Sequence, residues 1–347
     1  MTKYLLYVSH KYGFPIVRPL QEEILRKNDQ VVWFVEILKN KTMLQPKERV
    51  LNSVEEVMDY NPDIVLVANN EVPHFFPGIK VQLFHGFSVN KRSKSRGHFR
   101  IRGLFDLYCT QGPSTTDEFK RLEKKHKHFK VVETGWSKVD VLFPIKRIRN
   151  ERPIIFLAST FTESLSLAHK DQFFYEIKKI IETQEWDWII NLHPKMDQNV
   201  VDKFKRLEDF SNVTYIDFLE TLSPLKKADL LITDTTSLIT EFVIQHKPVV
   251  TFQNNLPQDY MLNILNVQEL KEMCEYALTR PRDLMDKIEF FIKQEHPYFD
   301  GRSSERVINA AALFLENNEV DKLKRKPLNL IRKFKMRNNM NYYKNIF

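Results

Sequence analysis

Two histidines stand where short apolar runs end. Phe84-His85-Gly86 closes the run Val81 to Phe84, and Asn191-Leu192-His193-Pro194-Lys195 closes the run Trp188 to Leu192. At a strand's carboxyl end a neutral imidazole can take a proton from an attacking hydroxyl, and Gly86 lets a ligand approach the backbone. Pro194 stops sheet pairing and fixes where His193 points, and a protonated His193 beside Lys195 would suit a diphosphate. A third stretch, Leu231 to Thr233, runs into Asp234-Thr235-Thr236-Ser237, where the open N–H groups of a helix start and the added hydroxyls make an anion site. Glu241, one turn into that helix, faces either a ligand or solvent. Phe299-Asp300-Gly301-Arg302-Ser303-Ser304 is a turn leading into a helix. Each segment also has a plain alternative: a strand cap at His85, a solvated loop at His193, simple N-capping by Asp234 or Thr235, and a turn with its cap at Asp300 to Ser304.

The elements that must hold these residues alternate along the chain. Lys3 to Val8, Gln30 to Val35, Asp63 to Ala68, Val81 to Phe84, Leu107 to Thr110 and Lys130 to Glu133 read as strands; Pro19 to Lys27, Ser53 to Tyr60 and Ser114 to Lys124 read as helices. A Pro-bounded basic segment around Phe143 to Pro153 reads as a linker. A second alternating half follows, with strands at Ile154 to Ala158, Trp188 to Leu192, Val213 to Ile216, Leu230 to Thr233 and Val249 to Phe252, and a helix over Ser237 to His246. Three helical stretches near 267–279, 282–295 and 303–317 complete the pattern. The alternation predicts two doubly wound, Rossmann-like α/β domains facing across a cleft, with C-terminal helices and a basic tail. The expected boundaries are 1–145 for an acceptor-side domain, 146–320 for a nucleotide-donor domain and 321–347 for an amphipathic tail.

A chain of 347 residues with 42% apolar side chains can bury more than one core, and 26 Phe against 8 Gly and 16 Pro exclude a disordered or fibrous protein. Cys109 and Cys274 form no CxxC pair, so neither a zinc site nor a disulfide framework is signalled. No apolar run reaches the roughly 18 to 20 residues of a membrane span, and the first residues are too briefly hydrophobic for a signal peptide. A cytoplasmic protein, peripheral on the inner face of the membrane, is the expected location.

The net charge of +8 is unevenly placed. Residues 322–347 hold nine Lys or Arg and no acid, which leaves 44 basic against 45 acidic side chains in residues 1–321. A second cluster, Lys91, Arg92, Lys94, Arg96, Arg100 and Arg102, stands out from that neutral body. The neutral body and the lack of any RNP-like, KH-like or zinc-finger pattern argue against a nucleic-acid partner. Within the tail, Pro327 suits a helix start, and Leu330, Ile331 and Phe334 fall on one face among basic residues, which suits an anionic membrane surface.

Together the segments resemble the CDP-glycerol glycerophosphotransferases of teichoic-acid and capsule synthesis. His85-Gly86 followed by Lys91, Gly135-Trp136-Ser137-Lys138-Val139-Asp140, His193-Pro194, Asp234 to Ser237 ahead of Lys247-Pro248, and Asp300-Gly301 occur in that family's order over residues 80–310. The family's usual lysine falls at Asn90 here, and its usual arginine at Asn191. The resemblance implies a GT-B-like fold and transfer of a polyol phosphate from a CDP-polyol to a lipid-linked glycan or polyol-phosphate polymer, with release of CMP. It makes His85 and His193 catalytic or diphosphate-binding and puts Thr236 and Ser237, with Thr235 and Lys195, at the donor phosphates. Gly86, Lys91, Lys138, Asp140, Asp234, Glu241, Asp300, Gly301 and Ser303 are further cleft candidates. No carboxylate cluster is spaced for a metal, so no tightly bound ion is expected, and Mg²⁺ would be carried only on the nucleotide. Two alternatives stay open: a GT-B glycosyltransferase using a nucleotide sugar, and a non-catalytic module binding anionic polymer or nucleic acid.

Overall fold

The computed structural model describes residues 1–87, 97–145, 150–216 and 222–344. It divides into two compact units, Met1–Asp140 together with Glu295–Phe347, and Val141–Gln294. Lys91, Arg92, Lys94 and Arg96 of the basic cluster, and part of the expected linker, lie outside the described residues.

The first unit is built on seven strands: β1 (Lys3–Val8), β2 (Gln30–Val35), β3 (Val50–Leu51), β4 (Ile64–Val67), β5 (Ile79–Gln82), β6 (Leu107–Thr110) and β7 (Lys130–Glu133). Their order is β3-β2-β1-β4-β5-β6-β7, and every pairing is parallel. Parallel strands covered on both faces need side chains that are apolar in both directions, which is why β4 reads Ile-Val-Leu-Val and is buried throughout. Helices α1 (Phe14–Arg26), α2 (Val54–Tyr60) and α3 (Pro113–His126) make the crossovers. The α2 start is a reciprocal cap: the Ser53 hydroxyl accepts from the Glu56 amide at 3.1 Å, and the Glu56 carboxylate accepts from the Asn52 amide at 2.8 Å. Helix α1 begins five residues earlier than its sequence predicts, with Pro15 at its start and Pro19 inside it.

The second unit has strands β8 (Ile154–Ser159), β9 (Asp187–Leu192), β10 (Val213–Tyr215), β11 (Leu230–Thr233), β12 (Val249–Phe252) and β13 (Leu262–Ile264), ordered β10-β9-β8-β11-β12-β13 and again wholly parallel. Its helices are α4 (Asp171–Thr183), α5 (Gln198–Lys205), α6 (Leu222–Lys227), α7 (Leu238–Val243), α8 (Leu270–Leu278) and α9 (Arg282–Glu295). Its core gathers Trp188, Phe156, Phe173 and Phe204, each almost fully buried. Both units therefore have the expected doubly wound, Rossmann-like fold.

The boundaries differ from the expected 146–320 and 321–347. After α9 the chain returns to the first unit, where α10 (Ser303–Glu316) packs on α1. The return is latched by Asp140, whose buried carboxylate accepts the first amides of α10, Ser303 at 2.8 Å and Ser304 at 2.6 Å. Gly135, at φ +80°, passes so close that a Cβ there would lie 2.4 Å from the Ser303 hydroxyl. Next to it the Trp136 amide donates to His296 Nε2 at 3.1 Å, and the Tyr298 hydroxyl donates to Glu133 at 2.9 Å. Burial pulls the His296 imidazole down to about 4, which keeps the ring neutral and able to accept.

The tail is equally part of this unit. Lys326 pairs with Asp106 at 2.6 Å, and α11 (Leu330–Asn339) lays Met336 and Met340 on the first core, with Tyr342 buried against Phe75 at 4.9 Å between ring centres. The tail is thus docked on the first unit through Met336, Met340 and Tyr342, which have a core to cover, while Leu330, Ile331 and Phe334 stay exposed. Ile346 and Phe347 lie outside the described residues.

Replacing Asp140 by Ala leaves two buried amide donors without acceptors, at a cost of about 1–3 kcal/mol each. A thermal melt of Asp140→Ala is expected several degrees below the parent, and Asp140→Asn, which keeps one acceptor oxygen, falls between the two. Coincident melts of all three proteins would show that α10 does not depend on the carboxylate.

Candidate functional site

In a doubly wound sheet the carboxyl ends of the strands open into a crevice where the strand order reverses, here between β1 and β4 in one unit and between β8 and β11 in the other.

In the second unit the crevice is shaped by Asp234, which directly follows β11. Its carboxylate is fully buried and accepts from the Ser159 hydroxyl at 2.6 Å, from the Thr160 amide at 3.1 Å and from the Leu167 amide at 3.1 Å. Burial raises its pKa, and these donors pull it back. Asp234 therefore ties the loop after β8 across the switch point, its carboxylate occupied by donors from that loop. It does not cap α7. Thr235 is also occupied, its hydroxyl oxygen accepting from the Asn255 amide at 3.1 Å. Simple N-capping by these two residues is thus excluded. The Thr236 hydroxyl makes a long 3.4 Å contact with the Leu238 amide, and the exposed Ser237 makes no capping bond. Helix α7 is only six residues long, shorter than the predicted 237–246, so its macrodipole is weak and any anion would be held by amides and hydroxyls. Glu241 is buried, and the solvent-facing alternative for it is corrected accordingly.

His193 follows β9, half-buried, with its ring 4.4 Å from that of Phe161. Its Nδ1 accepts from the Lys195 amide at 3.1 Å, which places the proton of the neutral ring on Nε2. Burial and then the Lys195 charge lower its pKa below the ordinary value of 6.5. With Nδ1 engaged by the Lys195 amide, the ring nitrogen left to donate is Nε2, and the Lys195 Nζ lies 5.5 Å from the Phe161 ring centre.

In the first unit His85 lies three residues beyond β5, on an exposed turn. The turn is made by Phe84, whose φ of +60° is costly for a bulky residue, about 1–3 kcal/mol. Phe84 is held there by stacking on His98 at 4.7 Å and packing on Phe119 at 5.0 Å. Gln111, just past β6, donates to the Gly86 carbonyl at 3.2 Å and fixes the next residue. The His85 ring lies 5.2 Å from Tyr12, which stacks on His10 at 5.3 Å. His10 Nδ1 is 2.7 Å from the Ser9 hydroxyl, itself bonded by buried Asn69 just beyond β4. His10, Tyr12 and Asn69 were missed by sequence reading, although Val8-Ser9-His10 repeats the strand-then-histidine signal at β1.

Asp140 and Ser303 form the α10 latch, and Asp300 accepts from the Arg302 amide at 3.0 Å and pairs with Arg306 in the turn at Gly301, φ +68°. In the first unit these contacts hold the start of α10. Lys138 is half-buried with its Nζ 5.2 Å from the Trp136 ring centre. Lys91 lies outside the described residues. Among the described residues no group of three or more His, Cys, Asp or Glu is placed to hold a metal ion, and no helix is long and apolar enough to cross a membrane.

Comparison with known proteins gives two kinds of relative. The family model described as UDP-N-acetylglucosamine 2-epimerase matches residues 112–312. The teichoic acid ribitol-phosphate polymerase TarL of Staphylococcus aureus (strain NCTC 8325 / PS 47) is 31% identical over 208 residues, 51% of this chain and 36% of that protein. The teichoic acid glycerol-phosphate primase of Bacillus subtilis (strain 168) is 27% identical over 191 residues, 48% of this chain and 44% of that one. The matched regions thus span less than half the length of either relative. Among solved structures, a UDP-N-acetylglucosamine 2-epimerase homologue from Listeria monocytogenes aligns with a TM-score of 0.64 at 15% identity, over 91% of this chain and 97% of that one. The wall teichoic acid polymerase TagF aligns with a TM-score of 0.62 at 14% identity, over 91% and 89%. At these identities the structures establish a shared GT-B-like fold.

Because the Lys195 charge holds the His193 imidazole down, Lys195→Met makes protonation easier and raises the His193 pKa toward 6.5. Following the ring carbon-bound proton of His193 by NMR across pH should show the midpoint moving up. An unmoved midpoint would show that the two side chains do not interact.

Proposed function

We propose, from the premise that the chain belongs to the UDP-N-acetylglucosamine 2-epimerase family and is related to the teichoic acid polymerases and primases, that it transfers a polyol phosphate from a CDP-polyol to a lipid-linked or polymeric acceptor in teichoic-acid-like synthesis. The observation that carries this reading is the sequence match to a polymerase and a primase, since the fold alone would serve an epimerase equally well.

The chemistry follows from the residues. An acceptor hydroxyl attacks the β-phosphorus in line; the new phosphorus–oxygen bond forms as the bond to the bridging oxygen breaks, and CMP leaves with that oxygen. His85 takes the hydroxyl proton. Its exposed position on a strained turn, with Tyr12 and His10 alongside, supports that role. Neutral His193, through Nε2–H, and Lys195 meet the diphosphate charge, and Thr236 and Ser237 hold donor phosphate by hydroxyl and amide. CMP is a good leaving group, so charge neutralisation and one base are what the reaction needs most.

A second reading, chemistry on a nucleotide sugar, is favoured by the family model and by the epimerase-like structure. The two separate cleanly in one assay: CDP-glycerol, CDP-ribitol and UDP-N-acetylglucosamine are incubated with the protein, with and without a polyol-phosphate acceptor. Acceptor-dependent release of CMP is expected, whereas conversion of the uridine sugar alone would replace the proposal with the second reading. In the productive assay His85→Ala is expected to lower turnover by roughly 10²- to 10⁴-fold with an unchanged melt. Parental turnover in that variant would remove His85 as the base.

A further inference from the structure

The docking of the tail leaves one side of α11 covered and the other bare. Met336, Met340 and Tyr342 cover the first core, and Arg332 is tied to Glu71 at 3.3 Å. On the opposite side Leu328, Leu330, Ile331 and Phe334 are 73%, 68%, 77% and 64% exposed. Single exposed apolar residues are ordinary, but Leu330, Ile331 and Phe334 bared together on a helix already anchored by its other face, with Leu328 just ahead of it, are not. Lys324, Arg325 and Lys335 flank them and are exposed too.

We infer that this outer face of α11, with Leu328 ahead of it, is a docking surface for an anionic lipid bilayer. Charge selects the occupant. Residues 322–347 carry nine basic side chains and no acidic one, while residues 1–321 are nearly neutral; Lys322, Lys326 and Arg332 pair with carboxylates, and the exposed Lys324, Arg325 and Lys335 supply attraction to an anionic surface around the apolar patch. A second copy of the chain would bring the same cluster against itself and be repelled. Because Tyr342, Met336 and Met340 hold the helix, the membrane meets a surface of fixed orientation and not a loose tail. Glu71, which anchors the first turn, lies four residues past the end of β4, on the sheet edge that also carries Asn69 and His85. If the proposed transfer holds, a lipid-linked acceptor confined to the bilayer is thereby delivered to the edge bearing the base. The lipid binding itself does not rest on that reading.

The test uses the full chain without substrates. Sucrose-loaded vesicles of phosphatidylglycerol mixed with phosphatidylcholine, and vesicles of phosphatidylcholine alone, are sedimented with the parent and with an Ile331→Glu, Phe334→Glu double variant. Both replaced side chains are exposed, so the variant is expected to melt like the parent. The parent should sediment with the anionic vesicles, should do so less at high salt, and should stay in solution with phosphatidylcholine alone. The variant should lose at least about tenfold in partitioning. Equal binding of parent and variant, or equal binding to both vesicle types, would overturn the inference. So would absence of vesicle binding with self-association that the variant abolishes, which would make the face a contact between copies.

Discussion

The parallel arrangement of both sheets is the constraint from which the rest follows. A parallel strand cannot return by a tight turn, so each must be followed by a crossover, and all the strands of a unit end on the same edge. Any short segment that follows a strand is therefore delivered to that edge, whatever its distance along the chain. This brings Ser9-His10, Asn69, His85 and Gln111 to one edge of the first unit, and Thr160-Phe161, His193 and Thr235 to Ser237 to one edge of the second.

Two buried carboxylates hold these arrangements in place. Asp234 accepts from the loop after β8 and so closes the crevice wall over the switch point. Asp140 accepts the first two amides of α10 and returns the chain to the unit it left. In each case the desolvation of the carboxylate is offset by amide donors that would otherwise be unpaired in the interior. Both carboxylates accept from donors of the fold itself, backbone amides in each case and the Ser159 hydroxyl at Asp234.

Local signals were legible where burial acts along the whole element. Leu107 to Thr110, Leu230 to Thr233 and Val249 to Phe252 are buried throughout and are strands at the residues their apolar runs indicate. The two-residue β3 and the three-residue β13 are too short to impose a period, and they form because a neighbouring strand supplies the pairing. The family resemblance, carried by motif order, agreed with the relatives found by comparison. What could not be read was anything depending on a distant partner. Ser303 and Asp140 are 163 residues apart, so a turn with its cap gave no sign that the cap comes from another segment. The lowered pKa of His193 and the bond to its Nδ1 depend on burial and on the fold of its own loop, and the occupied state of Asp234 depends on a loop more than sixty residues away. The strained turn at Phe84 likewise needs His98 and Phe119 packed against it.

The proposed transfer requires one bond to break, that between the β-phosphorus and the oxygen bridging it to the α-phosphorus. CDP-glycerol carrying ¹⁸O at that bridging position, turned over with acceptor and analysed by mass spectrometry, tests this directly. Attack at the β-phosphorus predicts that the label leaves in CMP and that the transferred glycerol phosphate is unlabelled. Label recovered in glycerol phosphate would place the attack at the other phosphorus and contradict the account.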